Sequence, residues 1–460
     1  MSVPMCSRED RFILHGIPDS PILAAYVDQT QFFMKMFNRF KLLCHPAAIR
    51  LFMKSYLMFR TDPRCSLLNL LRSAWRSAGE EKVVPYEGKL VYSTFLPPIP
   101  SKAADQVLDA LDLSKGAFDA QLTGRRRAPI SMYIAITERC PYQCAHCSAV
   151  GRNPVQELTT EELKKVLSDL QEMGTAIIGF TGGEPMVRAD LLELISAIDE
   201  RSVSFLFTTG YGLTLEKAKA FKQAGLFAVG ISLDDADPKR MDELRGRAGA
   251  FDKAIAAVKI CREAGLYTMT QTVAGRGSLR TGHLQKIIEL SKGLGVQEVR
   301  VLENMPSGRL AKVSQERILT QAERDELRAF SVVMNQKKGF PKISVFAYTE
   351  DKSRFGCGAG TQHSYLDAAG NLYPCDFVPL SFGNVRERPI AELWREMHRR
   401  IGMPRQTCMI MEMYAKKLLD PVTVFPVPPE AVEPYLEKLD VMTQMPGYYR
   451  RLLGGAILSC

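Results

Sequence analysis

The sequence predicts an α/β protein: an open, partial (β/α)6 TIM-like barrel, with a helical module before it and a small cysteine-bearing domain after it. Three observations carry that prediction. Between residues 130 and 302, six apolar runs of strand length alternate with segments of helical period. Each unit takes about 30–45 residues, the length a right-handed parallel crossover needs. The chain of 460 residues, 46% hydrophobic and 24% charged, has the composition of a globular protein and the length of two or three domains. The expected division is 1–125, 126–320, 321–410 and 411–460.

Residues 1–125 read as helical. Phe32–Cys44 places Phe32, Phe33, Met36, Phe37 and Phe40 opposite Lys35 and Arg39, an amphipathic pattern. Pro46 opens a second helix over Ala47–Phe59, and Ser66–Ala78 is a third. Between Gln29 and Ser77 nine Lys or Arg face one acid, Asp62, so most of the net +9 charge lies here. Apolar and aromatic side chains beside basic ones suit contact of 29–77 with a membrane surface. A bundle packed on the next domain is the competing reading. Lys82–Phe95 alternates around Glu87-Gly88 as a hairpin does. Ala103–Leu113 forms a helix, and the segment 124–129, with three arginines, reads as a solvated linker.

The predicted strands are 130–136, 176–180, 203–208, 227–233, 267–273 and 296–302. The predicted helices are 159–173, 189–199, 214–224, 250–264 and 281–293. Six units are too few to close a barrel, and active residues belong at the C-terminal ends of its strands. Cys140, Cys144 and Cys147 stand there after the first strand, spaced C-x3-C-x2-C. Thiolates ligate iron–sulfur clusters, and a cubane takes four; three from one loop leave one iron open to a substrate. A zinc knuckle or plain buried thiols are the alternatives, although zinc sites favour C-x2-C pairs. Gly182 follows strand two, Thr209 strand three and Asp234 strand four.

This cysteine loop, with His146 before its last cysteine, resembles the signature of the radical S-adenosylmethionine (SAM) enzymes. Thr181-Gly182-Gly183-Glu184-Pro185, Ile231-Ser232-Leu233-Asp234 and Leu244-Arg245-Gly246 resemble that family's later motifs. The resemblance implies a 4Fe–4S cluster on Cys140, Cys144 and Cys147 whose open iron chelates SAM. It also implies release of a 5′-deoxyadenosyl radical that abstracts hydrogen, and a reducing partner such as flavodoxin or ferredoxin. On this view Gly182 and Gly183 admit the methionine moiety and Glu184 accepts from its amino group. Arg245 meets its carboxylate, while Ser232, Asp234 and Thr209 lie near the ribose. Gly275 departs from the Asn often found after the fifth strand.

Downstream, Cys357, Gly370, Pro374-Cys375, Gly383-Asn384 and Trp394 occur in the order of the auxiliary-cluster domain called SPASM or, when shortened, twitch. Cys408 alone follows, so the resemblance implies one auxiliary 4Fe–4S cluster on Cys357, Cys375 and Cys408. The tail is expected to be helical at Met409–Leu419 and Val432–Met442. The expected activity is that of a radical SAM oxidoreductase acting on a lipid, isoprenoid or other small molecule. A ribosomal-peptide maturase and a non-catalytic iron–sulfur electron carrier are the alternatives. No run reaches a membrane span and no secretory leader is read. Eleven cysteines suit a reducing compartment. The expected place is therefore the cytoplasm, peripheral to a membrane, with no nucleic-acid partner.

Overall fold

The computed structural model describes residues 36, 39–79, 81–149, 156–311, 315–419, 426–440 and 444–454. Phe32, Phe33, Lys35 and Phe37 of the first basic segment, Cys6 and Cys460 lie outside them. Two helices lead, α1 (Pro46–Phe59) and α2 (Leu67–Ala78), the latter capped by the Ser66 hydroxyl, which accepts from the Asn69 amide. The hairpin follows as β1 (Val84–Tyr86) and β2 (Lys89–Val91), turned by Glu87 and Gly88, both at positive φ. Then come α3 (Lys102–Asp109) and α4 (Ala117–Thr123).

The barrel strands are β3 (Ser131–Thr137), β4 (Ile177–Gly182), β5 (Val203–Thr208), β6 (Leu226–Ser232), β7 (Tyr267–Ala274) and β8 (Glu298–Glu303). They pair in parallel in that order. The sheet is wider than the six expected strands. β9 (Lys342–Val345) adds in parallel to β8, and β10 (His363–Leu366) adds in parallel to β3 and carries the antiparallel β11 (Leu372–Tyr373). The cysteine-bearing segment is thus hydrogen-bonded into the barrel sheet rather than hung from it.

Period-two alternation sorts the side chains. Met132, Ile134 and Ile136 face the helices in one core, while Tyr133, Ala135, Phe205, Phe227 and Tyr267 fill the barrel in another. Burying a large apolar side chain contributes about 1.5–3 kcal/mol. The hairpin stoppers the lower end: the Tyr86 ring meets Phe227 and Tyr267 edge-on at 6.0 and 5.2 Å. Lys342, fully buried, pairs with Glu81 at 2.7 Å beside it.

Four sequence expectations change. The segment 124–129 is no solvated linker. Arg126 is buried and donates to the Val107 carbonyl, its amide donates to His398, and its carbonyl accepts from the buried Trp394 indole. A helix over Pro238–Arg245 was not foreseen, although Asp237 caps it and Pro238 opens it. Of the expected helix Val432–Met442, whose last two residues lie outside the described ones, the described part forms a turn of helix at Glu433–Leu436. Gly447–Leu452 forms instead, and its Tyr449 and Leu452 pack with Phe59, Leu70 and Phe118 of the N-terminal module. Among the described residues no helix is long and apolar enough to cross a membrane.

Candidate functional site

Cys140, Cys144 and Cys147 line one cavity of about 610 Å3 above the C-terminal ends of the strands, with Gly182, Gly183, Glu184, Thr209, Ser232, Asp234, Arg245 and His146. These barrel residues singled out in the sequence are thereby brought together, while Gly275 lines a separate small pocket. The loop is held by backbone. Gln143 and Ala145 amides donate to the carbonyls of Arg245 and Leu244, at 3.0 and 2.9 Å. Arg309, unnoticed in the sequence, receives the loop from the other side: its amide donates to Cys147 and its guanidinium to the Gln143 and Cys144 carbonyls. The Leu244-Arg245-Gly246 motif therefore braces the cysteine loop as well as lining the cavity.

The glycines of the second motif have a packing reason. A Cβ on Gly182, at φ 122°, would stand 2.2 Å from the Thr137 carbonyl oxygen, and one on Gly183 2.4 Å from that of Arg139. Both lock the turn onto the root of the cysteine loop. Glu184 is fully buried and accepts from Thr208 Oγ1, Thr209 N, Thr209 Oγ1 and Met186 N at 2.5–3.0 Å. Burial raises its carboxyl against the pull of those bonds. Its acceptor capacity is committed to the next strand, which it aligns.

Arg245 does not pair with Asp242, whose carboxylate accepts from the Gly249 and Phe251 amides. It pairs with Asp234 at 2.5 Å and donates to Cys144 Sγ at 3.5 Å, while His146 approaches Asp234 at 3.3 Å. Burial opposes the Asp234 charge, but Arg245 and His146 outweigh it and hold the carboxyl well below its usual range. Arg245 Nε stays buried without a hydrogen-bond partner, an unused donor in the cavity lining. Burial pushes the Cys140 thiol up to about 11, and Cys144 upward too. Such thiols stay neutral until a cation takes their protons' place. A soft three-sulfur face beside a free guanidinium donor fits a cluster together with a carboxylate-bearing cosubstrate.

The second cysteine set is drawn from distant segments. Cys357 and Arg405 exchange backbone bonds at 2.8 and 3.1 Å, which brings Cys408 to Cys357. Their thiols hydrogen-bond, and the bond from Cys408 pulls Cys357 below the ordinary thiol range. Cys375 is near enough to both to interact electrostatically. All three line a second cavity of about 360 Å3, walled largely by apolar and aromatic side chains such as Phe52, Phe59, Tyr92 and Phe95. Tyr133, Met305, Phe346, Asp376 and Phe377 line both cavities, so the two adjoin across these side chains. Arg300 reaches the first of these cavities from β8. It lies over the rings of Phe95, Phe207 and Phe346 at 5.0–5.5 Å, and its Nε and Nη1 are buried without hydrogen-bond partners. No motif marked it; its signal was an arginine between Val299 and Val301 of a barrel strand.

Comparison with known proteins agrees with this arrangement. The Radical SAM superfamily matches residues 134–281, and an iron–sulfur cluster-binding domain, SPASM, matches residues 357–409. The chain is 29% identical to the AdoMet-dependent heme synthase of Methanosarcina barkeri, over 61% of its own length and 86% of that protein's. It is 31% identical to the PqqA peptide cyclase of Bradyrhizobium diazoefficiens, over 62% and 79%. Its fold is similar to Streptococcus suis SuiB bound to precursor peptide SuiA, with TM-score 0.51 at 17% identity. That match covers 58% of this chain and 65% of SuiB. The chain belongs to the radical SAM enzymes, which use a 4Fe–4S cluster, SAM and a reductant such as flavodoxin or ferredoxin, and it carries a SPASM auxiliary-cluster domain.

Proposed function

We propose that this enzyme removes hydrogen from a ribosomally made peptide, one of whose apolar side chains enters where the two cysteine-lined cavities adjoin. The adjoining of the two cavities carries the proposal: a substrate group held against Tyr133, Met305 and Phe346 would lie between the two sites. The peptide class draws its support from the similarity to a protein named PqqA peptide cyclase. It ranks above the lipid expectation drawn from the sequence. The clusters and SAM supply the one-electron chemistry, reductive cleavage of SAM to a radical that takes a hydrogen atom. The residues of this chain supply the rest. Asp234 fixes Arg245 beside the thiols, Glu184 aligns the third and second strand ends, and the aromatic walls keep water from a reactive radical. Arg300, with two unused buried donors, favours a substrate that carries a carboxylate or phosphate near the reacting carbon.

The auxiliary-side cavity serves a tetrapyrrole, with its several carboxylates, less well than the cavity lined by Arg245, Arg300 and Arg309 does. Among the described residues lining the auxiliary-side cavity, Arg126 is the single Lys or Arg, and it already donates to Val107. Several carboxylates would find few partners there. The test is anaerobic: reduced enzyme and SAM are incubated with each short peptide encoded beside the gene. Stoichiometric 5′-deoxyadenosine with a mass loss on the peptide is expected. Stimulation by lipid extract alone would overturn the peptide reading.

The lipid reading keeps one observation of its own. Ile49, Met53 and Leu57 on α1, and Leu67, Leu71 and Trp75 on α2, are all exposed at four-residue spacing. Arg72 and Arg76 stand among them, with no ion pair among the described residues. Phe52 and Ala74 line both the groove on this face and the interior cavity. An amphiphile at an anionic bilayer would meet an apolar way inward. Salt-sensitive co-sedimentation with anionic vesicles, lost in Leu71→Glu/Trp75→Glu, is the outcome this reading expects. A protein left in the supernatant at low salt removes it.

A further inference from the structure

We infer that Glu350 is the fourth protein ligand of the auxiliary cluster. Glu350 follows the short helix Phe346–Thr349, which leaves the sheet directly after β9. A carboxylate oxygen of Glu350 and the sulfurs of Cys357 and Cys408 all lie within 4.8 Å of one another. No other such set of three metal-ligating side chains occurs among the described residues. The Glu350 carboxyl and the Cys408 thiol are hydrogen-bonded, and Cys375 lines the same cavity. One carboxylate and three thiols thus share a pocket, a donor set of the kind that holds a metal cluster.

The neighbouring groups that compete for the position are otherwise engaged. His363 uses both ring nitrogens, one with Ser131 Oγ and one with Asp376, each at 2.8 Å. Arg324, whose charge acts on Glu350, is paired with Glu303 at 2.8 Å. Glu350 is half-buried and lines that cavity. Three thiolates and one carboxylate complete the four positions a cubane takes. A hard oxygen donor is held less tightly by iron than a thiolate. An iron held by Glu350 would therefore be the most readily exchanged of the four.

The inference rests on Cys357, Cys375 and Cys408 holding a cluster, and the experiment separates the two claims. The full chain carrying Cys140→Ala/Cys144→Ala/Cys147→Ala is reconstituted anaerobically, so only the auxiliary site contributes. Iron content and the electron paramagnetic resonance of the reduced protein are compared for Glu350, Glu350→Ala, Glu350→Gln and Glu350→Cys, with and without imidazole. The parent spectrum is expected to ignore imidazole. Glu350→Ala should either lose about one iron in four or show a spectrum that shifts with imidazole. Glu350→Cys, which keeps a donor and guards against a folding defect, should give a third spectrum and a more negative midpoint potential. Four spectra that superimpose, with unchanged iron and no response to imidazole, overturn the Glu350 assignment while leaving the cluster in place. A parent that takes up no iron overturns the cluster and its fourth ligand together.

Discussion

The two cysteine sites are built by opposite means. The first takes three sulfurs from eight consecutive residues and borrows its support from afar, from the carbonyls of 244–245 and the side chain of Arg309. The second gathers its sulfurs from 357, 375 and 408 and is supported locally, by the Cys357–Arg405 bridge and the β10–β11 hairpin. A site whose ligands are adjacent in sequence exists as a ligand set before folding and needs the fold only to aim it. A site whose ligands are up to 51 residues apart exists only once the sheet is complete. The first should therefore tolerate changes in the barrel core better than the second.

The largest effects separate the sites outright. Cys140→Ala/Cys144→Ala/Cys147→Ala should abolish 5′-deoxyadenosine formation and leave about half of roughly eight irons. Cys357→Ala/Cys375→Ala should lose the other half and still cleave SAM slowly without substrate. If the second variant also fails to cleave SAM, the two sites are not separable and the comparison breaks. Arg300→Met should act between these extremes. Loss of a charged hydrogen bond costs about 1.5–3 kcal/mol, so substrate KM should rise roughly 10–100-fold, with substrate-free SAM cleavage unchanged. A fall in substrate-free cleavage would move Arg300 from the substrate to the SAM side.

The same contrast explains what could be read from sequence. The six barrel strands were legible, and β5 occupies the expected 203–208, because a strand buried on both faces is written as a continuous apolar run. The first cysteine site was legible because its ligands are neighbours. Asp234, Arg245 and His146 were each marked by a motif, yet their pairing with one another is set by tertiary approach and carried no local sign. Glu350 was invisible: a single acid after a short helix looks like any solvated residue until β9 joins β8 and places it. The helix 238–245 was missed despite an Asp-Pro start that states a cap and a first turn. The burial of Arg126 was missed because polar composition reads as exposure, whereas Trp394 and His398, more than 260 residues away, close over it.

The smallest prediction concerns the seam between the two halves. Arg386, beside the β10–β11 hairpin, forks onto Glu162 of the helix Thr160–Met173 at 2.6 and 2.9 Å. It also donates to the carbonyls of Gln156, Glu157 and Ala369. Arg386, aided by the Thr159 amide, lowers the Glu162 carboxyl to about 2. A carboxyl lowered in the folded state stabilises it above its unfolded value of about 4.3, and that stabilisation fades as pH falls toward the folded value. Both side chains are about a third exposed, so screening limits the pair to about 0.5 kcal/mol. Arg386→Ala should therefore lower the midpoint of thermal unfolding only slightly at pH 7, by about 1 °C, with the deficit shrinking between pH 4 and 3. Glu162→Gln should cost a similar amount at pH 7, and the double variant less than the sum, since the two residues share one interaction. A deficit that persists undiminished at pH 3 would mean that the three carbonyl bonds, and not the ion pair, fasten the auxiliary-cluster segment to the barrel.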